Sequence, residues 1–142
     1  MLIGTILRNK GNDVMTVAPG ATVRDLLAQL AEHNIGAVVV SADGETIDGI
    51  VSERDVVRRL HDQGAAVLEA EVATIMTTEV RTVGPNANVD ELRRIMTTHR
   101  FRHMPVVDQG RLVGIVSIGD VVKSAIEELE TEKASLVDYL HR

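Results

Sequence analysis

Gly49-Ile50-Val51-Ser52-Glu53-Arg54-Asp55 and Gly114-Ile115-Val116-Ser117-Ile118-Gly119-Asp120 are two copies of one phrase. Each opens on glycine, passes through a short β-branched run and reaches a serine three residues before an aspartate. A valine pair follows, Val56-Val57 and Val121-Val122. A strand that runs through serine into a helix suits both copies.

Working outward from the first copy, residues 35–40 read as a buried strand, Asp43-Gly44 as a turn and residues 47–51 as a second strand. Ser52 caps a helix that reaches about His61. Upstream, Val23, Leu26, Leu27, Leu30 and Ala31 share one face of a helix. Thr22 is its N-cap, Asp25 completes a capping-box-like pair three residues on, and Asn34 is the stop. Pro19-Gly20 turns the chain after a short strand at residues 14–17. Leu2, Ile3, Ile6 and Leu7 have helix-like spacing, and residues 9–13 read as a loop.

The second copy has the same surroundings. Thr74-Ile75-Met76 echoes Thr5-Ile6-Leu7, residues 80–83 echo the short strand, and Pro85 answers Pro19. Asn88 stands as the cap with Glu91 three residues on, and Val89, Leu92, Ile95 and Met96 repeat the helix face. Residues 101–107 and 112–116 are the strand pair, with Gln109-Gly110 between them. The spacing is 66 residues from Pro19 to Pro85 and 65 from Asp55 to Asp120, so one turn differs by a single residue.

Each unit thus reads strand–helix–strand–strand–helix, an α/β (α+β) arrangement. A unit of about 60 residues buries too little surface to be comfortable alone. Two such units, related by a pseudo-twofold and sharing one core, are the expected architecture. The divisions are residues 1–70 (first unit with an N-terminal helix), 71–124 (second unit) and 125–142 (a C-terminal amphipathic helix). In that last segment Val122, Ile126, Leu129, Leu136, Val137 and Leu140 lie near helical spacing among Glu127, Glu128, Glu130, Glu132 and Lys133. It either packs back on its own module or docks on a partner subunit.

Composition bounds the function. A chain of 142 residues, 44% hydrophobic and 25% charged, is in the ordinary globular range. Its formal charge of −6 argues against a general nucleic-acid binder, and Phe101 and Tyr139 are too few for a base-stacking platform. Cysteine is absent, which excludes disulfides, a thiolate nucleophile and cysteine-based zinc sites. Met1-Leu2-Ile3-Gly4 has no basic leader ahead of an apolar run, and the apolar runs fall short of the ~20 residues of a membrane span. A cytoplasmic protein is expected.

The Ser-x-x-Asp pairs admit two readings. They are helix capping boxes, or they are parts of a ligand site, since a helix N-terminus presents outward-facing amides to an anion. A serine there can donate to phosphate, and an aspartate can accept from ribose hydroxyls. One pair of residues can serve both purposes.

The doubled Gly-Ile-Val-Ser-x-x-Asp, each copy preceded by a threonine–proline stretch and an amphipathic helix, resembles a tandem pair of cystathionine-β-synthase (CBS) domains, a Bateman module. The likeness spans about residues 5–123. It implies clefts between the repeats that bind adenine nucleotides: AMP first, with ADP, ATP, NAD-type dinucleotides or S-adenosylmethionine as the other candidates. Carried over by position, Asp55 and Asp120 would hold ribose hydroxyls, and Ser52 and Ser117 would approach phosphate or ribose. Arg54 is placed as a phosphate contact; its counterpart Gly119 makes the clefts chemically unequal. Arg102-His103-Met104-Pro105 fits the family's basic strand, whereas Gly36-Ala37-Val38-Val39 departs from it.

The expected function is that of a regulatory adenine-nucleotide sensor acting through a conformational or oligomeric change, as a homodimer or on an effector protein. The alternative is a ligand-free structural or dimerisation module. No nucleophile–base pairing, P-loop or metal cluster suggests an enzyme. His99 and His103 are four residues apart, but Pro105 and the residues after it place His103 on a strand, away from a shared metal.

Overall fold

The computed structural model describes residues 1–11 and 14–141. Helix α1 (Ile3–Lys10) precedes β1 (Thr16–Val17), α2 (Val23–His33), β2 (Ala37–Val40), β3 (Gly49–Ser52) and α3 (Glu53–Gln63). Two short 3-10 turns, Gly64–Glu69 and Val72–Thr74, lead to α4 (Val89–His99), β4 (His103–Asp108), β5 (Arg111–Ser117) and α5 (Ile118–Leu140). Asn9 and Lys10, expected in a loop, form the last turn of α1; Asn12 and Asp13 lie outside the described residues.

In the first unit β1 runs parallel to β2, and β2 pairs antiparallel with β3. In the second, β4 and β5 pair antiparallel, and the strand expected at residues 80–83 is reduced to one bridge. Val83 donates to the Pro105 carbonyl (3.1 Å) and accepts from the Val107 amide (2.9 Å), while Val80 and Arg81 turn into a cleft instead of extending the pairing. The single-residue offset between the repeats falls in the hairpins. Gln109 and Gly110 make a tight turn with φ of 51° and 78°, as a two-residue hairpin loop requires. The first hairpin instead has a wider loop, in which the Asp43 carboxylate accepts from the Glu45 and Thr46 amides (2.8 and 2.7 Å). These bonds, with those from the Thr46 and Ser41 hydroxyls, hold its carboxyl well below the usual range.

The two units exchange their opening segments. Ile3, Ile6 and Leu7 of α1 are buried in the second core with Leu92, Met96, Met104 and Val116, although α1 precedes the first unit in sequence. Its backbone is tied there: Ile3 donates to the Ala87 carbonyl (3.0 Å) and Gly4 to that of Pro85 (2.8 Å). Conversely Val72 and Ile75, from the segment that opens the second unit, fill the first core beside Leu26, Leu30 and Val51. The exchange explains the glycine that opens each repeated phrase. A Cβ on Gly49 would stand 2.8 Å from the Thr77 carbonyl oxygen, and one on Gly114 2.5 Å from a Leu7 methyl. It also means that α1, expected to belong with residues 1–70, packs with the other unit.

The caps follow the sequence. Thr22, Ser52 and Ser117 each close a capping box with the acid three residues on. Asn88 is the exception, because its side chain accepts from the Asp90 amide (2.7 Å) instead of pairing with Glu91. Asn34 ends α2 in the left-handed conformation, φ 51°. The division expected at residue 125 coincides with no break, since α5 is one helix of 23 residues. From Ile126 to His141 every residue is exposed, with Leu129 and Leu136 at 64% and 60%.

Candidate ligand-binding cleft

A cleft of about 440 Å³ lies where the two units meet, within the range of small-molecule sites. One wall is the β3–α3 junction, with Ser52, Glu53, Arg54 and Asp55; the other is the entry to β4, Arg100 to Pro105. Thr77 to Arg81 supplies a rim through Thr77, Glu79, Val80 and Arg81, and Ser117 and Ile118 reach it from the β5–α5 junction. Of the residues singled out from sequence, Ser52, Arg54, Asp55, Arg102, His103 and Ser117 line it together. Asp120 does not.

The cap fixes the Asp55 carboxylate. Its Oδ2 accepts from the Ser52 amide (2.8 Å) and from the Ser52 hydroxyl (3.0 Å). Among the described residues no lysine, arginine or histidine forms an ion pair with Asp55. Its remaining acceptor capacity is available to a donor in the cleft.

The cations come from both units. Arg54, Arg81, Arg100 and Arg102 face Glu53, Asp55 and Glu79, a local excess of positive charge in a chain of net charge −6. Guanidinium groups suit bidentate phosphate recognition. Arg81 and Arg100 were not singled out from sequence. Arg100 ends α4 in the left-handed conformation, φ 57°, at the place Asn34 takes in the first unit. Asparagine adopts that conformation readily and arginine seldom does. That mismatch between the repeats is the signal that could have marked Arg100.

His103 opens β4 in register with Ser117, as Ala37 is with Ser52. Gly36, the counterpart of Arg102, leaves room beside it: a Cβ there would stand 3.3 Å from Glu53 Oε1 and 3.6 Å from His103 Cε1. Burial, then the charges of Arg102 and Lys10, lower the His103 pKa against the opposing pull of Glu53 and Asp120. His99, at the end of α4, stacks on Phe101 with ring centroids 5.6 Å apart.

Asp120 repeats the Asp55 geometry with a different outcome. Its Oδ2 accepts from the Ser117 amide (2.9 Å) but also from Lys10 Nζ (2.8 Å). Lys10 Nζ donates as well to the Ile115 carbonyl (2.9 Å), which fixes the ammonium at the mouth of the turn. Burial alone would raise the Asp120 carboxyl; the Lys10 bond, with those from Ser117, outweighs it and holds the pKa below the ordinary carboxylate value.

Two strand–serine–helix turns back to back, each with its aspartate, define a tandem module. A family model for the CBS domain matches residues 6–62 and 72–127, so the chain belongs to the CBS-domain family. A CBS pair is a regulatory module. The CBS domain-containing protein CBSX3, mitochondrial, of Arabidopsis thaliana is 34% identical over 97% of this chain and 71% of its own length. The crystal structure of the CBS-domain containing protein ATU1752 from Agrobacterium tumefaciens is 46% identical, with a TM-score of 0.84, over 88% of this chain and 99% of that one. The CBS pair of protein MJ0100, 24% identical with a TM-score of 0.76 over 87% of this chain and 98% of that one, shares the fold. It was solved in complex with 5'-methylthioadenosine and S-adenosyl-L-methionine. No helix among the described residues is long and apolar enough to cross a membrane.

Proposed function

We propose that the cleft binds an adenine nucleotide, AMP first among the candidates, and that occupancy is the signal a cytoplasmic regulatory module passes on. The carrying observation is one cleft that joins a pre-fixed carboxylate, Asp55, to four arginines drawn from both units. Asp55 accepts from ribose hydroxyls, and Ser52 and Ser117 stand beside the sugar and phosphate. Arg54 and Arg102, with Arg81 and Arg100, neutralise the phosphate. His103 adds a proton when a phosphate dianion is near. The adenosine compounds bound by the MJ0100 pair support a nucleoside ligand, and the arginines favour a phosphorylated one.

A ligand that touches both walls stabilises one relative placement of the units, which is how binding energy becomes a shift in population. The output surface is proposed on the exposed apolar residues of the helices. Val57 and Leu60 on α3, with Val122 and Ile126 on α5, form the homodimer contact, and the free end of α5 serves an effector protein. Titration calorimetry with AMP, ADP, ATP and S-adenosylmethionine tests the reading. A nucleotide should bind and raise the melting temperature, by about 2.7 kcal/mol of stability at a hundredfold excess over Kd. Binding by none of the four defeats it and favours the ligand-free dimerisation module.

A further inference from the structure

We infer that Lys10 closes the second of the two repeated turns, so that this chain takes one nucleotide, on Asp55, rather than two. The inference rests on the proposed function of the cleft and goes beyond it by fixing the stoichiometry and naming the residue that sets it. Asp55 and Asp120 occupy equivalent places, each the third residue of its helix and each accepting from its own serine amide at 2.8 and 2.9 Å. What differs is the next donor. For Asp55 it is the hydroxyl of its own Ser52, and the carboxylate faces an open cleft.

For Asp120 the next donor is an ammonium from the far end of the sequence. Lys10 Nζ sits 2.8 Å from Asp120 Oδ2 and 2.9 Å from the Ile115 carbonyl, so it is anchored to the strand as well as to the acid. To reach Oδ2 here a ribose hydroxyl would have to displace a charged donor with a neutral one, and would leave the ammonium to find new acceptors. The exchange of opening segments puts the lysine there: α1 packs in the second core through Ile6 and Leu7, and its last turn delivers Lys10 over β5. The second turn also lacks a counterpart of the Arg54 guanidinium, since Gly119 stands in its place.

Native mass spectrometry and calorimetry with AMP and ATP, carried to millimolar concentration, count the ligands on wild type, Asp55→Ala and Lys10→Met. Wild type should hold one equivalent per chain, bound roughly ten- to a hundredfold more weakly in Asp55→Ala. Lys10→Met should keep that site and gain a second one, at least tenfold weaker. Two equivalents on wild type, one equivalent whose affinity Asp55→Ala leaves unchanged, or no second site in folded Lys10→Met would each overturn the inference while leaving a nucleotide-binding module. A drop in the first site's affinity in Lys10→Met would overturn it too, by making Lys10 a ligand contact. If Lys10→Met fails to fold, the wild-type count and Asp55→Ala decide. No binding of AMP or ATP to any variant would defeat both this inference and the proposed function.

Discussion

Ile50 and Thr77 exchange both of their backbone hydrogen bonds, each 2.9 Å long. The contact seats the segment that opens the second repeat against the last strand of the first, at the same place where Gly49 has no side chain. Gly49→Ala would push a methyl into the Thr77 carbonyl at 2.8 Å, a backbone atom that cannot swing aside. It should destabilise the protein by about 1–3 kcal/mol, the usual range for an overpacked core. Gly114→Ala meets a Leu7 methyl at 2.5 Å, the end of a side chain, and should fall at the low end of that range. Urea unfolding of both variants checks the order; equal or negligible effects would count against the close approach.

Asp55→Ala removes the carboxylate that the cap has aimed into the cleft, while helix α3 loses half of its capping box. Nucleotide affinity should drop roughly ten- to a hundredfold, corresponding to about 1.5–3 kcal/mol for hydrogen bonds to a charged group. Asp120→Ala should leave that affinity within about twofold, because Asp120 is outside the cleft. Calorimetry on the pair separates them, and a larger effect from Asp120 would reassign the site.

The Lys10–Asp120 pair should be visible in acid. Asp120 is held below its ordinary value when folded. Its contribution is therefore complete above the unfolded carboxylate pKa of about 3.9 and disappears as pH falls through the lower folded value. The partners are 40% and 23% exposed, so the pair contributes about 1 kcal/mol. Lys10→Met should be less stable than wild type by that amount at pH 7, with the gap closing below about pH 4. A gap that persists at pH 2 would trace the loss to packing instead.

His103 makes the opposite sort of prediction, for binding. In the free protein burial, Arg102 and Lys10 keep the ring neutral at pH 7, against Glu53 and Asp120. A bound phosphate favours the imidazolium, so its pKa is higher in the complex than in the free protein. Affinity should therefore gain relative to His103→Gln as pH falls from about 7.5 to 6. The comparison cancels the titration of the phosphate itself, whose second pKa is about 6. Parallel pH profiles for the two proteins would remove His103 from the site.

On α5, Leu129→Glu and Leu136→Glu change side chains that are 64% and 60% exposed and belong to neither core. Unfolding stability should move by no more than about 0.5 kcal/mol. Binding to an effector should weaken sharply; pull-down from cell extract with the wild-type and variant proteins as bait reads that out, and equal recovery of the same partner by both would remove the end of α5 from the output surface.

Much of this was legible because local chemistry repeats. Thr22, Ser52, Ser117 and Asn34 announce helix ends through bonds that reach only two to four residues. The doubled phrase located Ser52, Arg54, Asp55 and Ser117 in the cleft, and the resemblance to the family's basic strand added Arg102 and His103. What stayed hidden depends on contacts distant in sequence. The spacing of Ile3, Ile6 and Leu7 shows that α1 has an apolar face but does not say which core receives it. Lys10 reads as a loop residue until the fold places it against Asp120, 110 positions away. Arg81 and Arg100 stand at repeated positions, but the repetition fixes their place in the fold without saying that their side chains meet in the cleft.

The crossing-over of the opening segments constrains how any message can travel. Neither half owns all the side chains of its own interior, so severing the chain near Gly64 would strand α1 on one fragment and its lodging on the other. The two lobes are clasped, not strung like beads. Under the proposed function, occupancy of the groove would be transmitted as a slight glide within a single interlocked body, with no wide swing about a free tether.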